Sequence, residues 1–423
     1  MDLVKELKWR GMVHDLVPGT DDHFQNNMIT AYIGFDPTAD SLHIGSLVQI
    51  MTLVHLQKMG HKPIILIGGA TGMVGDPSGK SKERNLLDED TLNNNINAVK
   101  KQLEKFLDFN CGDNSAEIVN NFDWFKSYNF LSFIRDVGKY IPIGYMMTKD
   151  SVKNRIETGM SFTEFSYQLV QGYDFYWLWK NKSCTVQLGG SDQWGNIVTG
   201  IELIRKKDGG QVFALTTPLI QKSDGGKFGK TEDGNVWLDK IKTSAYKFYQ
   251  FWINASDEDS KNYIKIFTLK TQKEIDLIIK EHEMSPHLRL LQKAIAEDVT
   301  KRVHSPEDLE MAIQASSILF GKSTSEDLRK LDEDTFLSVF EGVPLYEINR
   351  KDLSSNLLEL LTEKTKVFSS KGEARRMFNS NAVSINKERV IDVDSLNSNH
   401  ILNDKYILGQ KGKKNYFIIV VIK

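Results

Sequence analysis

The sequence predicts an α/β protein: a doubly wound parallel sheet, then an all-α region, then a small α+β module. Three observations carry this. Over residues 1–225, short apolar strand-like runs alternate with helical patterns. Glycine-rich polar clusters stand where those strands end. From 245 to 340 the strand signals vanish and amphipathic helices follow one another.

The strand candidates are residues 29–35, 63–68, 117–120 and 184–188, and the clearest helices between them are 92–107 and 162–179. An open sheet of this Rossmann-like kind binds ligands beyond the carboxyl ends of its strands. Asp36 follows the first strand, GGATGMVGDPSGK the second and LGGSDQWGN the fourth. Helices are expected at 245–253, 273–283, 288–303 and 306–319, with Pro286 and Pro306 as start signals. The expected division is a Rossmann-like domain over 1–231, a helical domain over 232–340, a linker over 341–354 and a compact tail over 355–423. The tail should carry helices at 357–363 and 373–379 and then short strands.

Hydrophobic content is 40% and charged content 26%, as in an ordinary soluble protein. The two cysteines, Cys111 and Cys184, form no disulfide framework, and no cysteine–histidine spacing suggests a metal site. The opening MDLVKELKWRGM is amphipathic and of mixed charge, unlike a signal peptide. The longest apolar runs are strand-sized, too short to span a bilayer. A cytoplasmic protein with no membrane partner is expected. The formal net charge is −2, yet residues 361–423 hold 12 Lys and Arg against 6 Asp and Glu. The tail is therefore +6 and the body −8. Such a pattern fits one module gripping a phosphate-rich partner, or simply a charged solvated face.

The stretch YIGFDPTADSLHIGSL (Tyr32 to Leu47) reads as a strand, a break at Asp36-Pro37-Thr38 and a helix entered at about His43. Leu47, Ile50 or Met51, and Val54 would form one core face. Gly45 would let something flat lie on the backbone, and the helix N-terminus would offer N–H groups to a phosphate beside His43. The Gly68–Gly79 loop is not a P-loop, but its glycines permit close approach. Asp76 lies within it, and Lys80 and Arg84, at its end and just beyond, can meet phosphate. On the helix beyond Ser161, Tyr167, Gln171 and Asp174 fall at i, i+4 and i+7, so their polar tips share a face. Buried polar groups need partners, and a bound amino acid could be one; a helix whose tyrosine packs against the sheet is the plainer alternative. In Gly189-Gly190-Ser191-Asp192-Gln193, Gly190 admits a nucleoside and Asp192 can accept from ribose hydroxyls; helix capping is the plainer alternative. Lys227 and Lys230, in a glycine-rich loop, fit a phosphate clamp or a solvated turn.

PTADSLHIG resembles the first ("HIGH") signature of class I aminoacyl-tRNA synthetases, and Lys227-Phe228-Gly229-Lys230-Thr231 resembles their second ("KMSKS"). GDPSGK and the Tyr167–Asp174 segment are similar to the tyrosine-specific members of bacterial type; the tryptophan-specific ones are the nearest alternative. SSKGEARRMFNSNAVSINKERV resembles an S4-like RNA-binding domain. The resemblance spans essentially the whole chain. It implies that Asp76, Tyr167 and Gln171 hold the α-amino group of L-tyrosine, that Asp174 and Tyr32 bind its phenol, and that Gln193 lies alongside. It implies ATP contacts from Gly34, Asp36, His43, Gly45, Ser46, Gly190, Asp192 and Lys230. Phosphate stabilisation would come from Thr38, His43, Lys80, Arg84, Lys227, Lys230 and Thr231, with Mg2+ carried by ATP and no metal site on the protein. Arg375, Arg376, Lys387 and Arg389 would contact tRNA(Tyr), and a homodimer is implied. Two departures stand out: Ser46 replaces the usual second histidine, and Phe228-Gly229 and Thr231 replace Met-Ser and Ser. A non-catalytic RNA scaffold and a nucleotidyltransferase acting without tRNA are the competing readings.

Overall fold

The structure, a computed structural model, describes residues 2–78, 87–156, 159–231, 234–320, 324–412 and 415–422. The chain forms two compact units, Met1–Asp239 with Ala255–Ile295, and Lys240–Asn254 with Ala296–Lys423. The helical region expected as one domain is thus shared between them. Part of the reason is the buried Arg10, whose guanidinium donates to the carbonyls of Lys265, Thr268 and Lys270. Those carbonyls close the helix Asp257–Phe267, which the sequence reading had not marked, and tie it to the N-terminal segment.

The first unit holds five parallel strands: β1 (Thr30–Phe35), β2 (Lys62–Ile67), β3 (Glu117–Asn120), β4 (Cys184–Gly190) and β5 (Phe213–Thr217), in the order β3-β2-β1-β4-β5. Four were expected; β5 was not. Its sequence FALTT is buried at every position and has no alternation, so nothing marked it as a strand. The chain runs outward from β1 to β3 and then returns to the other side of β1. The order therefore reverses between β1 and β4, and there the carboxyl ends open a crevice. Tyr32 on β1 is paired in register with Gln187 on β4.

Two helices frame that crevice. Leu47–Lys58 buries nine of its twelve residues rather than a single stripe, because it packs on the sheet and on Asp257–Phe267. It is entered through a 3-10 turn, Ile44–Ser46. The helix Phe162–Lys182 begins where the Ser161 side chain accepts from the Glu164 N–H and ends at Ser183 in the left-handed region. It crosses Trp194–Asp208 closely: a Cβ on Gly172 would lie 3.3 Å from the Gly200 nitrogen. The strands β6 (Lys230–Thr231) and β7 (Gly234–Asn235) form a small antiparallel pair.

In the second unit, Ala245–Ile253, Pro306–Phe320 and Glu333–Val339 are helical. A mixed sheet of β8 (Leu345–Asn349), β9 (Val383–Ile385), β10 (Glu388–Arg389), β11 (Tyr406–Lys411) and β12 (Asn415–Ile422) follows, in the order β10-β9-β11-β12-β8. The expected linker 341–354 is corrected here. Its middle forms β8, which runs parallel to β12 and buries Ile348 in the tail's core. β9 and β10 are joined by Asn386-Lys387, both at positive φ (45° and 71°), the two-residue turn that suits a twisted hairpin.

Candidate active site

At the β1/β4 switch point lies a cavity of about 910 Å³. Its lining includes Tyr32, Gly34, Asp36, Thr38, His43, Gly45, Ser46, Asp76, Tyr167, Gln171, Asp174, Gly190, Asp192 and Gln193, so fourteen of the expected residues come together.

One part of the wall is built around Asp174, which is 1% exposed. Its two oxygens accept from Trp124 Nε1 (3.0 Å) and Asn121 Nδ2 (3.1 Å). Burial nevertheless outweighs both bonds and raises its carboxyl to about 8. Asn121 is itself fixed, accepting from the Ala70 N–H and donating to Thr71 Oγ1. Trp124 is held by a parallel stack on Trp177 with centroids 4.2 Å apart. Tyr32 is equally buried, and its hydroxyl has no partner among the described residues. Burial drives its ionisation far upward, so the hydroxyl is a neutral donor and acceptor. The Oε1 of Gln187, 2% exposed, is unpartnered too. Unsatisfied buried polar atoms are costly and rare; gathered around one cavity, they describe a polar ligand.

Another part of the wall is a continuous polar network. Asp76 accepts from Gln193 Nε2 (2.8 Å) and from the Ser78 N–H (3.0 Å). Gln171 Oε1 accepts from Asn196 Nδ2 (2.9 Å). Tyr167 donates to Asp36 Oδ2 (2.9 Å), while Thr71 donates to Asp36 Oδ1 (2.7 Å). Carboxylates and amide oxygens facing a cavity suit a cation such as an ammonium.

The helix entrance at His43 departs from expectation in one respect. The N–H groups at the helix entrance are already used. Ile44 donates to the Val236 carbonyl, Gly45 to His43 Nδ1 (3.0 Å) and Ser46 to the His43 carbonyl. These N–H groups are therefore already paired and do not form the open backbone cradle that was expected. With Nδ1 accepting from Gly45, the neutral tautomer of the ring carries its proton on Nε2. A Cβ on Gly45 would lie 2.7 Å from this ring, so the glycine makes room for the imidazole rather than for a ligand. The lysine loop is clamped to the same turn: Val236 donates to the Gly229 carbonyl and accepts from Ile44. Gly229, at φ 78°, packs against Ile44 where a Cβ would come within 2.5 Å. Phe228 stacks on Phe267 (5.4 Å, 12°), which explains the aromatic in place of methionine. Lys227 and Lys230 are exposed and do not line the cavity in this conformation. Lys80, Arg84 and the Thr231 side chain lie outside the described residues.

Residues 25–321 match the family described as tRNA synthetases class I (W and Y), and 335–419 match the tyrosine–tRNA ligase SYY-like C-terminal domain. The chain is 59% identical to a tyrosine–tRNA ligase of Flavobacterium johnsoniae, with both chains covered completely. It is 58% identical to that of Parabacteroides distasonis, over 99% of this chain and all of the relative. The chain belongs to the tyrosyl-tRNA synthetases of class I. Among solved structures, a C-terminally truncated mitochondrial tyrosyl-tRNA synthetase of Aspergillus nidulans matches with a TM-score of 0.69 and 31% identity, over 75% of this chain and 94% of that one. A tyrosyl-tRNA synthetase of Archaeoglobus fulgidus shares the fold, with a TM-score of 0.54 at 16% identity.

For a synthetase of this family, the sequence reading omitted four polar residues of the site: Asn121, Trp124, Gln187 and Asn196. Gln187 carried a signal, a lone amide in a mostly apolar, almost wholly buried strand. The others stand on a turn and helix starts, where single polar residues are unremarkable. In the tail, Arg375 and Arg376 are exposed on the helix Lys371–Asn379, and Arg389 is exposed on β10. Lys387 instead donates to the Tyr416 hydroxyl (3.0 Å). Among the described residues no group of His, Cys, Asp and Glu is placed to hold a metal ion, and no helix is long and apolar enough to cross a membrane.

Proposed function

We propose a division of labour in this cavity for tyrosine–tRNA ligation, in which tyrosine and ATP give tyrosyl-adenylate and pyrophosphate, and the tyrosyl group then passes to the 3'-terminal ribose of tRNA(Tyr). The observation that carries it is the buried pair of Asp174 and the unpartnered Tyr32 hydroxyl. A substrate phenol donates to the first and accepts from the second, whereas a phenyl ring leaves both unsatisfied. Rejection of phenylalanine by about 10⁵-fold without editing is the known benchmark of this enzyme family, not a figure worked from this structure.

Asp76, Tyr167 and Gln171 receive the α-amino group, with Gln193 alongside, donating to Asp76. The tyrosine carboxylate is already a nucleophile at neutral pH, so it attacks the α-phosphorus without a general base, and pyrophosphate leaves. Catalysis then rests on positioning and on neutralising charge. His43 and Thr38 contact the phosphates, with Gly34, Asp36, Gly45, Ser46, Gly190 and Asp192 around the nucleoside. Lys80, Arg84, Lys227, Lys230 and Thr231 stabilise the leaving pyrophosphate; the exposed lysine loop must close to do so. Mg2+, arriving on the triphosphate, supplies further charge neutralisation. Arg375, Arg376, Lys387 and Arg389 hold tRNA in the cytoplasm, with Lys387 first releasing Tyr416. A homodimer is supported by Phe130, Leu131, Ile143 and Phe162, each more than 60% exposed in the first unit. The test is Asp174→Ala: tyrosine binding should collapse toward that of phenylalanine, and unchanged selectivity would refute the assignment.

A further inference from the structure

Asn196, the third residue of the helix Trp194–Asp208, is 2% exposed. Its Nδ2 lies 2.9 Å from Gln171 Oε1, 3.3 Å from Ser78 Oγ, 3.4 Å from Gln193 Oε1 and 3.5 Å from Asp76 Oδ1. Asp76, Gln171 and Gln193 line the cavity, whereas Asn196 does not. One buried amide thus joins three pieces of that wall: the segment carrying Asp76, the helix Phe162–Lys182 and the 3-10 turn Ser191–Gln193.

The network fixes which end of each amide is which. Gln193 donates through Nε2 to Asp76 Oδ2 at 2.8 Å, which turns its Oε1 toward Asn196. Asn196 therefore meets two acceptors, that oxygen and Asp76 Oδ1, and only its NH2 end can serve them. Facing that NH2, Gln171 has to present its oxygen. A reversed Asn196 would set oxygen against oxygen at Gln193 and Asp76, and Gln171 would turn its own NH2 toward it. The difference is chemical. The Gln171 oxygen has two lone pairs, of which Asn196 takes one and leaves one for a second donor. An ammonium is such a donor, and an NH2 in the same place would repel it.

We infer that Asn196 is a positioning residue for the amino acid. It locks the Gln171 amide as an acceptor and ties it to Asp76 and Gln193, so that the place for the α-amino group is assembled before tyrosine arrives. The inference rests on the assignment of Asp76 and Gln171 to that amino group. Asn196 acts only through these neighbours, because the NH2 that faces them cannot bind a cation.

The test compares three ligands: tyrosine, tyramine, which keeps the amino group, and 3-(4-hydroxyphenyl)propionate, which lacks it. Affinities are measured by titration calorimetry, with competition against tyrosine for the weaker ligands, and KM for ATP by pyrophosphate exchange. Wild type is compared with Asn196→Leu, of similar volume but without a donor, and with Asn196→Ala if leucine compromises folding. The expected result is a loss of about five- to tenfold for tyrosine and tyramine, with less than about twofold for the propionate. KM for ATP should not move. Equal losses on all three ligands would mark a merely structural residue and overturn the inference, as would no loss on any. Wild type that binds the propionate as tightly as tyrosine would instead overturn the amino-group assignment on which the inference rests.

Discussion

Replacing Tyr32 with phenylalanine removes one oxygen and separates two costs. That hydroxyl is buried without a partner among the described residues, its ring tilted against Phe175 at 5.6 Å. An unsatisfied buried group costs about 1–3 kcal/mol, so its removal should stabilise the free protein, by about 1 kcal/mol after allowance for the small void. For a unit of this size the melting temperature should rise by about 2–4 °C. With tyrosine bound the balance reverses. Wild type gains by satisfying the hydroxyl and the variant does not, so tyrosine affinity should fall by about 1–3 kcal/mol, roughly 5- to 150-fold. Phenylalanine, which never satisfied the group, should bind no worse. Differential scanning fluorimetry without ligand and kcat/KM for both amino acids give the two readouts. A lower melting temperature together with unchanged selectivity would refute the reasoning, because Tyr32 would then be an ordinary core residue.

Asp174 should impose a pH dependence of definite sign. Its folded carboxyl is raised to about 8, whereas an unfolded aspartate titrates near about 4, so the folded protein holds an extra proton in between. Stability should therefore fall as pH rises from about 4 to 8, and Asp174→Asn should flatten that part of a denaturation-versus-pH curve. A tyrosine phenol donating to Asp174 favours the anion, so wild-type tyrosine affinity by titration calorimetry should strengthen as pH approaches 8. Lys230→Ala should lose adenylate formation by several orders of magnitude in single-turnover assays while tyrosine still binds; equal loss of both would mark a structural role. Arg375→Gln with Arg376→Gln should weaken tRNA binding and reduce the slope of log affinity against log salt by about 2 in filter binding. Phe130→Glu with Leu131→Glu should shift the mass measured by light scattering from dimer to monomer, and an unchanged mass would place the interface elsewhere.

What was legible in the sequence was whatever repeats with a period or is demanded by a turn. Tyr167, Gln171 and Asp174 fell on one helical face because their spacing put them there, and the four marked strands were apolar runs closed by glycine or polar breaks. Three kinds of feature were not legible. β5 had no alternation, and β8 hid in a polar stretch whose pairing depends on a strand about 70 residues later. Asn121 and Asn196 matter only through partners far along the chain, Asp174 and Gln171. At His43 the reading of a free helix N-terminus missed that the neighbouring Val236 and the histidine itself take up the N–H groups. A partner contributed by tertiary contact leaves no local pattern.

The central claim is that Tyr32 and Asp174 select a phenol for activation by ATP. ATP–pyrophosphate exchange with tyrosine, phenylalanine and tryptophan, run without tRNA, tests it most directly. Exchange with tyrosine alone is the predicted result. Exchange with phenylalanine at a comparable rate would contradict the phenol-reading pair, and exchange with tryptophan would contradict the specificity as a whole.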